Sequence, residues 1–228
     1  MAGAMTIKVS AAIMAHPARA PFIPYLQSKL PIDTPVVWDQ ISSRWDTGRR
    51  SLLAYDPTAT HHVVIQDDAL LPNDLIPGLE QIIPYVPAGH PLCLYVGSSR
   101  PYVNVIRYFT GLADSQATPT SWLIMKHINW GVGLVFPTAQ IPALVAHCDT
   151  RTVTQYDTRV SKWFEGDLGG NPRTVWCPWP SLVEHRDSPS LYADRDGVRH
   201  AYRFIGEDAS ALDFDPTGGQ IRLPRAKP

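Results

Sequence analysis

HHVVIQDDALLPNDL, residues 61–75, is the stretch whose reading decides the fold. Val63, Val64 and Ile65 are β-branched and consecutive, which suits a strand covered on both faces of a sheet. The run ends abruptly in two adjacent carboxylates, Asp67 and Asp68. Strand ends are where open α/β sheets place their chemistry. Asn73 then reads as the cap of a helix in which Leu75, Ile76, Leu79, Ile82 and Ile83 recur at helical spacing. Two acids at such a crevice either bind a cation or repel each other. A hard divalent cation, carried in with a diphosphate, satisfies the pair; a solvated turn after a core strand is the alternative.

Outward from this unit, strands and helices alternate. Lys8 to Ala15 reads as a first strand, followed by a helix from about Arg19 to Leu30 with Pro21 in its first turn. Pro35 to Trp38 is a short strand ending at Asp39. Ser43 followed by Asp46 resembles a capping box for a helix through Leu53, weakened by Gly48. Pro91 to Val96 is a further strand, and SSRPYVN after it reads as a loop. Trp122 to Lys126 and Val132 to Phe136 are strands around an NWG segment, and Thr138 opens a helix ending near His147. A last helix carries Val160, Trp163 and Phe164 on one face and precedes a final strand at Thr174 to Trp176. This alternation predicts an α/β sandwich. No repeat, low-complexity tract or linker divides residues 1–228, so a single domain is expected.

Composition narrows the function classes. Hydrophobic residues make up 44% of the 228 and charged residues 18%, which excludes a disordered chain. A formal net charge of −1 supplies no basic field for sequence-independent nucleic-acid binding. Cys93, Cys148 and Cys177 are odd in number and widely spaced, indicating neither a disulfide framework nor a zinc-thiolate site. A reducing cytoplasm fits. The short apolar stretch near the N-terminus is interrupted at His16-Pro17 well before a membrane-spanning length, and reads as a core strand.

HPAR at 16–19, Asp39, IQDDA at 65–69, WGVGLVFP at 130–137 and PSLVEHRDSPSL at 180–191 follow the order seen in GT-A glycosyltransferases. Over about residues 7–191 the chain resembles small glycosyltransferase-like proteins of phages and actinobacteria. More distantly, it is similar to the lipooligosaccharide glycosyltransferase family, whose members carry an xDD motif at the same point. The resemblance implies a GT-A sandwich with a mostly parallel central sheet, and transfer of a sugar from a nucleotide-diphosphate donor.

It also implies roles. Asp68 is the expected direct metal ligand, with Asp67 on the donor sugar or a metal-bound water, and His185 reaching back as a further ligand. Imidazole ligation would favour manganese over magnesium. His16, Arg19, Asp39, Arg44, Arg49, Gln66 and Gly131 are the expected donor-binding residues, with Gly131 allowing close backbone approach. Inverting transfer needs a carboxylate base; Asp157 is the choice and Asp167 the reserve. Thr154 to Asp157 also reads as a capping box.

Each has a structural alternative: His185 can be a surface or internally satisfied histidine, and the glycines of WGVG, 130–133, can form a structural bulge. His16 and Arg19 can cap the first turn, Asp39 can be a turn residue, and Arg44, Arg49 and Arg50 can form a solvated face. His61 and His62 read as a strand edge rather than ligands. The tail, 192–228, reads either as a lid carrying Arg195, Arg199 or Arg203 toward the donor or as a flexible end. The acceptor is open: a hydroxymethylated DNA base, met by a groove of Arg100, Arg107 and Lys126, or a protein or glycan on a particle or cell surface. If the gene is phage-borne, the host cytoplasm is the place of action. Metal-dependent phosphoryl hydrolysis and a catalytically silent sugar-binding module are the alternative functions on the same fold.

Overall fold

Continuous runs of buried, mostly apolar residues give the chain its inner strands. The computed structural model describes residues 6–98, 103–116, 119–188, 191 and 199–222. In chain order these form β1 (Val9–Ala15), α1 (Ile23–Lys29), β2 (Val36–Trp38), α2 (Arg44–Leu53), β3 (His61–Gln66), β4 (Ala69–Leu70) and α3 (Leu75–Ile82). There follow β5 (Leu92–Cys93), α4 (Val103–Asp114), β6 (Thr120–Met125), β7 (Gly133–Pro137), α5 (Ile141–Asp149) and α6 (Tyr156–Glu165). The last elements are β8 (Val175–Pro178), β9 (Glu184–His185) and β10 (Gly219–Arg222).

Eight strands form one sheet in the order β10-β6-β8-β5-β7-β3-β1-β2, and β4 pairs with β9 outside it. The sheet is mixed with a parallel majority: β1 is parallel to β2 and β3, β10 to β6, and β5 to β8. β7 runs antiparallel to β3 and β5, and β6 antiparallel to β8. The α/β class expected from the sequence is therefore observed.

Val63 and Ile65 pack with Ile13, Leu26 and Leu79 on one face of the sheet. Val64 packs with Leu52, Phe136, Leu144, Val160 and Phe164 on the other. The consecutive apolar run of β3 is thus buried on both sides, with all three residues at 0% exposure. α1 lies on the first face and α2 on the second, so the two crossovers that leave and return past β1 switch faces there. That arrangement opens a crevice at the carboxyl ends of the parallel strands.

Several expected details are corrected. The helix expected from Arg19 begins as a 3-10 turn, Pro17–Phe22, because Pro17, Pro21 and Pro24 withhold amide donors at its start. Asp74, at φ 55°, precedes α3 without a side-chain cap. Asn73 instead accepts from Lys29 Nζ at 2.6 Å and donates to the Asp208 carbonyl at 3.0 Å. His61 and His62 open β3, which is an interior strand between β1 and β7. Most of the SSRPYVN loop, 99–102, lies outside the described residues, and Val103 and Asn104 at its end open α4, a helix the sequence does not announce. The last strand is not β8.

β10 extends the sheet beside β6, with Ile221 opposite Leu123. Phe214, ahead of it, is buried with its ring 5.6 Å from that of Trp122. The described part of the tail, 199–222, is accordingly built into the fold rather than a flexible end. Among the described residues no helix is long and apolar enough to cross a membrane.

Candidate functional site

β1, β2 and β3 run in parallel, so Ala15, Trp38 and Gln66 deliver the following residues to one edge of the sheet. A cleft of about 790 Å³, including its open mouth, lies there. His16, Arg19, Asp39, Arg44, Gln66, Asp67 and Asp68 line one side of it, and Gln155, Tyr156, Asp157, Leu191 and Arg199 contribute to the rest.

Asp67 turns back on the first strand-to-helix connection. Its Oδ2 accepts from the His16 amide at 2.6 Å, and its Oδ1 lies 3.3 Å from Arg19 Nη1. His16 caps the 3-10 turn, its Nδ1 accepting from the Ala18 amide at 3.1 Å. Burial pushes the Asp67 carboxyl above the usual range, against the His16 amide and the Arg19 charge, which pull it down. Asp68 Oδ2 pairs with Arg19 Nη1 and faces His185 Nε2 at 3.1 Å. Asp68 Oδ1 is buried and has no hydrogen-bond partner.

His185 reaches Asp68 across the chain through a two-strand ladder. β9 pairs antiparallel with β4, setting His185 opposite Ala69. The Arg186 amide completes the join by donating to the Asp68 carbonyl at 2.7 Å. His185 Nδ1 lies 2.7 Å from the Arg186 carbonyl, which can only accept, so this nitrogen carries the ring proton. Burial, reinforced by the charges of Arg199 and Arg19, holds the imidazole pKa down to about 4. At neutral pH Nε2 therefore presents a lone pair to a carboxylate oxygen. A proton or a cation shared by the two atoms would satisfy this contact, beside the Arg19 guanidinium already on Oδ2.

The orphaned Asp68 Oδ1 and the opposed Oδ2 and Nε2 lone pairs fit a divalent cation held by a carboxylate and an imidazole. Among the described residues no group of three or more His, Cys, Asp or Glu side chains is arranged to hold a metal ion. Asp68 and His185 are a pair, which leaves coordination positions for ligands from outside the chain.

The opposite wall comes from the start of α6, with Gln155, Tyr156 and Asp157. Gln66 donates its amide to the Val132 carbonyl at 2.9 Å, which brings Gly131 alongside. Gly131 does not itself line the cleft, but a Cβ there would stand 3.0 Å from Gln66 Nε2 and 3.3 Å from Asp157 Cβ, two residues that do. Asp157 sits in the first turn of α6, and Oδ1 accepts from the Thr158 amide at 2.8 Å. The capping box expected from Thr154 is absent: Gln155 is the N-cap and makes no side-chain cap bond.

Other expected residues lie elsewhere. Arg49 pairs with Asp149 at 3.0 Å and does not line the cleft, while Arg50 pairs with Asp46 at 2.8 Å. Asp167 pairs with Arg151 at 3.1 Å, and Arg203 with Asp114 at 3.1 Å. Asp39 both lines the cleft and acts as a turn residue, accepting from the amides of Ile41 and Ser43. Lys126 lines a separate cavity with His127 and Arg173, Arg107 is exposed on α4, and Arg100 and Arg195 fall outside the described residues. Met14, Thr47, Gln155, Tyr156 and Leu191 are cleft residues that the sequence reading does not single out. Thr47 carries a signal, lying three residues after Arg44 on the same helix face.

No family model matches the chain, and no curated protein sequence matches it.

Proposed function

We propose that the protein is a metal-dependent GT-A-type glycosyltransferase that takes a nucleotide-diphosphate sugar as donor. The observation that carries this reading is the meeting of Asp68 and His185 at 3.1 Å beside a cleft at the carboxyl ends of parallel strands. Asp68 and His185 would hold a divalent cation, Mn²⁺ in preference to Mg²⁺ because of the imidazole. Such an ion, when bound, neutralises charge that develops on a departing diphosphate.

The chain's own residues supply the rest. Asp39 and Arg44, at the end of β2 and the start of α2, face the cleft where a ribose and base would lie. His16 and Arg19 stand on the first turn, suited to phosphate oxygens. Gly131 and Gln66 leave room for the sugar, and Asp157 faces the same space as the base that takes the proton of an acceptor hydroxyl. The acceptor is a hydroxyl compound, with a modified DNA base, a protein or a glycan as the classes to screen.

Calorimetric titration of nucleoside diphosphates and nucleotide-sugars, in Mn²⁺ and then in chelator, tests the reading. Affinity falls strongly in chelator, Asp68→Ala abolishes that difference, and His185→Ala reduces it without unfolding the protein. Equal affinity with and without metal in the wild-type protein overturns metal dependence. Phosphodiester hydrolysis without sugar transfer would point to the hydrolase instead.

A further inference from the structure

Arg19 is 7% exposed and contacts both carboxylates, its Nη1 lying against Asp68 Oδ2 and 3.3 Å from Asp67 Oδ1. Asp68 Oδ2 is also the oxygen that faces His185 Nε2. The guanidinium therefore stands in the coordination space of the atom that a cation shared with His185 would take. Asp67 and Asp68 are adjacent, 7% and 4% exposed, and two buried carboxylates require a counter-charge. Arg19 meets that need incompletely, because Asp68 Oδ1 is left buried without a partner.

We infer that Arg19 is a resident counter-cation that competes with the divalent metal for Asp68 and is released when the metal binds. This rests on the reading of Asp68 and His185 as metal ligands. With one guanidinium the two carboxylates keep a net charge of −1; a divalent ion added while Arg19 stays would bring these groups to +1, with Arg199 on the same cleft and Glu184 beside His185 as the further charges that act there. Displacing the guanidinium removes its repulsion of the ion. Arg19 sits on the cleft wall, so the freed fork faces the space where a diphosphate would lie and can take phosphate oxygens bidentately. Metal and diphosphate would then reinforce each other's binding through one side chain.

The test is titration of Mn²⁺ alone, followed by calorimetry and by the Mn²⁺ electron-paramagnetic-resonance signal, on the full chain. Arg19→Gln, which keeps a donor and drops the charge, is expected to bind Mn²⁺ about 10- to 100-fold more tightly than wild type, the usual worth of a charged hydrogen bond. Arg19→Lys, which keeps the charge, should stay near wild type. Equal or weaker Mn²⁺ affinity in Arg19→Gln overturns the competition; the metal reading survives that result if Asp68→Asn abolishes Mn²⁺ binding. Binding by Arg19→Gln but not by wild type supports the competition and removes metal dependence from the native protein. If Arg19→Gln is unfolded in chelator, refolding that depends on Mn²⁺ supports the inference, and failure to refold at any Mn²⁺ concentration overturns it.

Discussion

Asp157 shows how much one side chain's role depends on what surrounds it. Its carboxylate accepts from the Thr158 amide at 2.8 Å and lines the cleft. Asparagine keeps that acceptor but cannot take a proton. Asp157→Asn should therefore preserve donor affinity and melting temperature while lowering sugar transfer by about 10²- to 10⁴-fold, the usual contribution of a positioned general base. Transfer assays with donor in excess check this, and retained turnover would return Asp157 to a local turn role. At this scale the sequence exposes residues that follow strand ends: His16, Asp39, Asp67 and Asp68 all reach the cleft. It does not expose partners set by tertiary packing. Arg49 is drawn off by Asp149 and Asp167 by Arg151, pairings between segments that no local spacing announces.

Elements with one strong period are legible, and those built by contact with distant chain are not. β3 is marked by three β-branched or branched apolar residues in a row, and α2 by Ser43, whose hydroxyl accepts from the Asp46 amide at 3.1 Å. Gly48 looks like a weakness in α2, yet it is a packing device: a Cβ there would come within 2.4 Å of Tyr156 Cδ2, on the helix that carries Asp157. β10 has no such signal, since Gly218, Gly219 and the acidic residues before them read as a loose end. Its place is fixed instead by close approach to β6. A Cβ at Gly218 would fall 2.3 Å from Ser121 Oγ and 2.4 Å from the Pro119 carbonyl. Gly218→Ala should thus destabilise the fold by about 1–3 kcal/mol, the range for overpacking a closed contact. Urea denaturation measures it; nucleotide affinity should be unchanged, because β10 and β2 are opposite edges of the sheet.

Across the whole molecule, the two-faced core makes the chain sensitive to acid through buried histidines, His61 and His185 as well as His62, of which His62 is fully buried and does not line the cleft. His62 is 0% exposed on β3, beneath α2. Its Nε2 lies 2.9 Å from the Ser51 carbonyl, so that nitrogen carries the proton, and Nδ1 accepts from Ser10 Oγ at 2.9 Å. Burial pushes its pKa down to about 4, outweighing those hydrogen bonds. In the unfolded chain the same imidazole titrates near 6.5. Above that value both states hold neutral His62 and folding is unaffected; below it the unfolded chain takes up a proton that the folded one refuses. Stability should therefore fall as pH drops from about 6.5 to about 4, by on the order of 3 kcal/mol from this residue, and level off below. His62→Gln should lower stability at neutral pH, because it disturbs the Ser51 and Ser10 contacts, yet flatten the decline over that interval. Urea unfolding measured from pH 7.5 to 4 on both proteins decides it. A wild-type profile as flat as the variant's would mean that the folded protein admits a proton at His62 without cost.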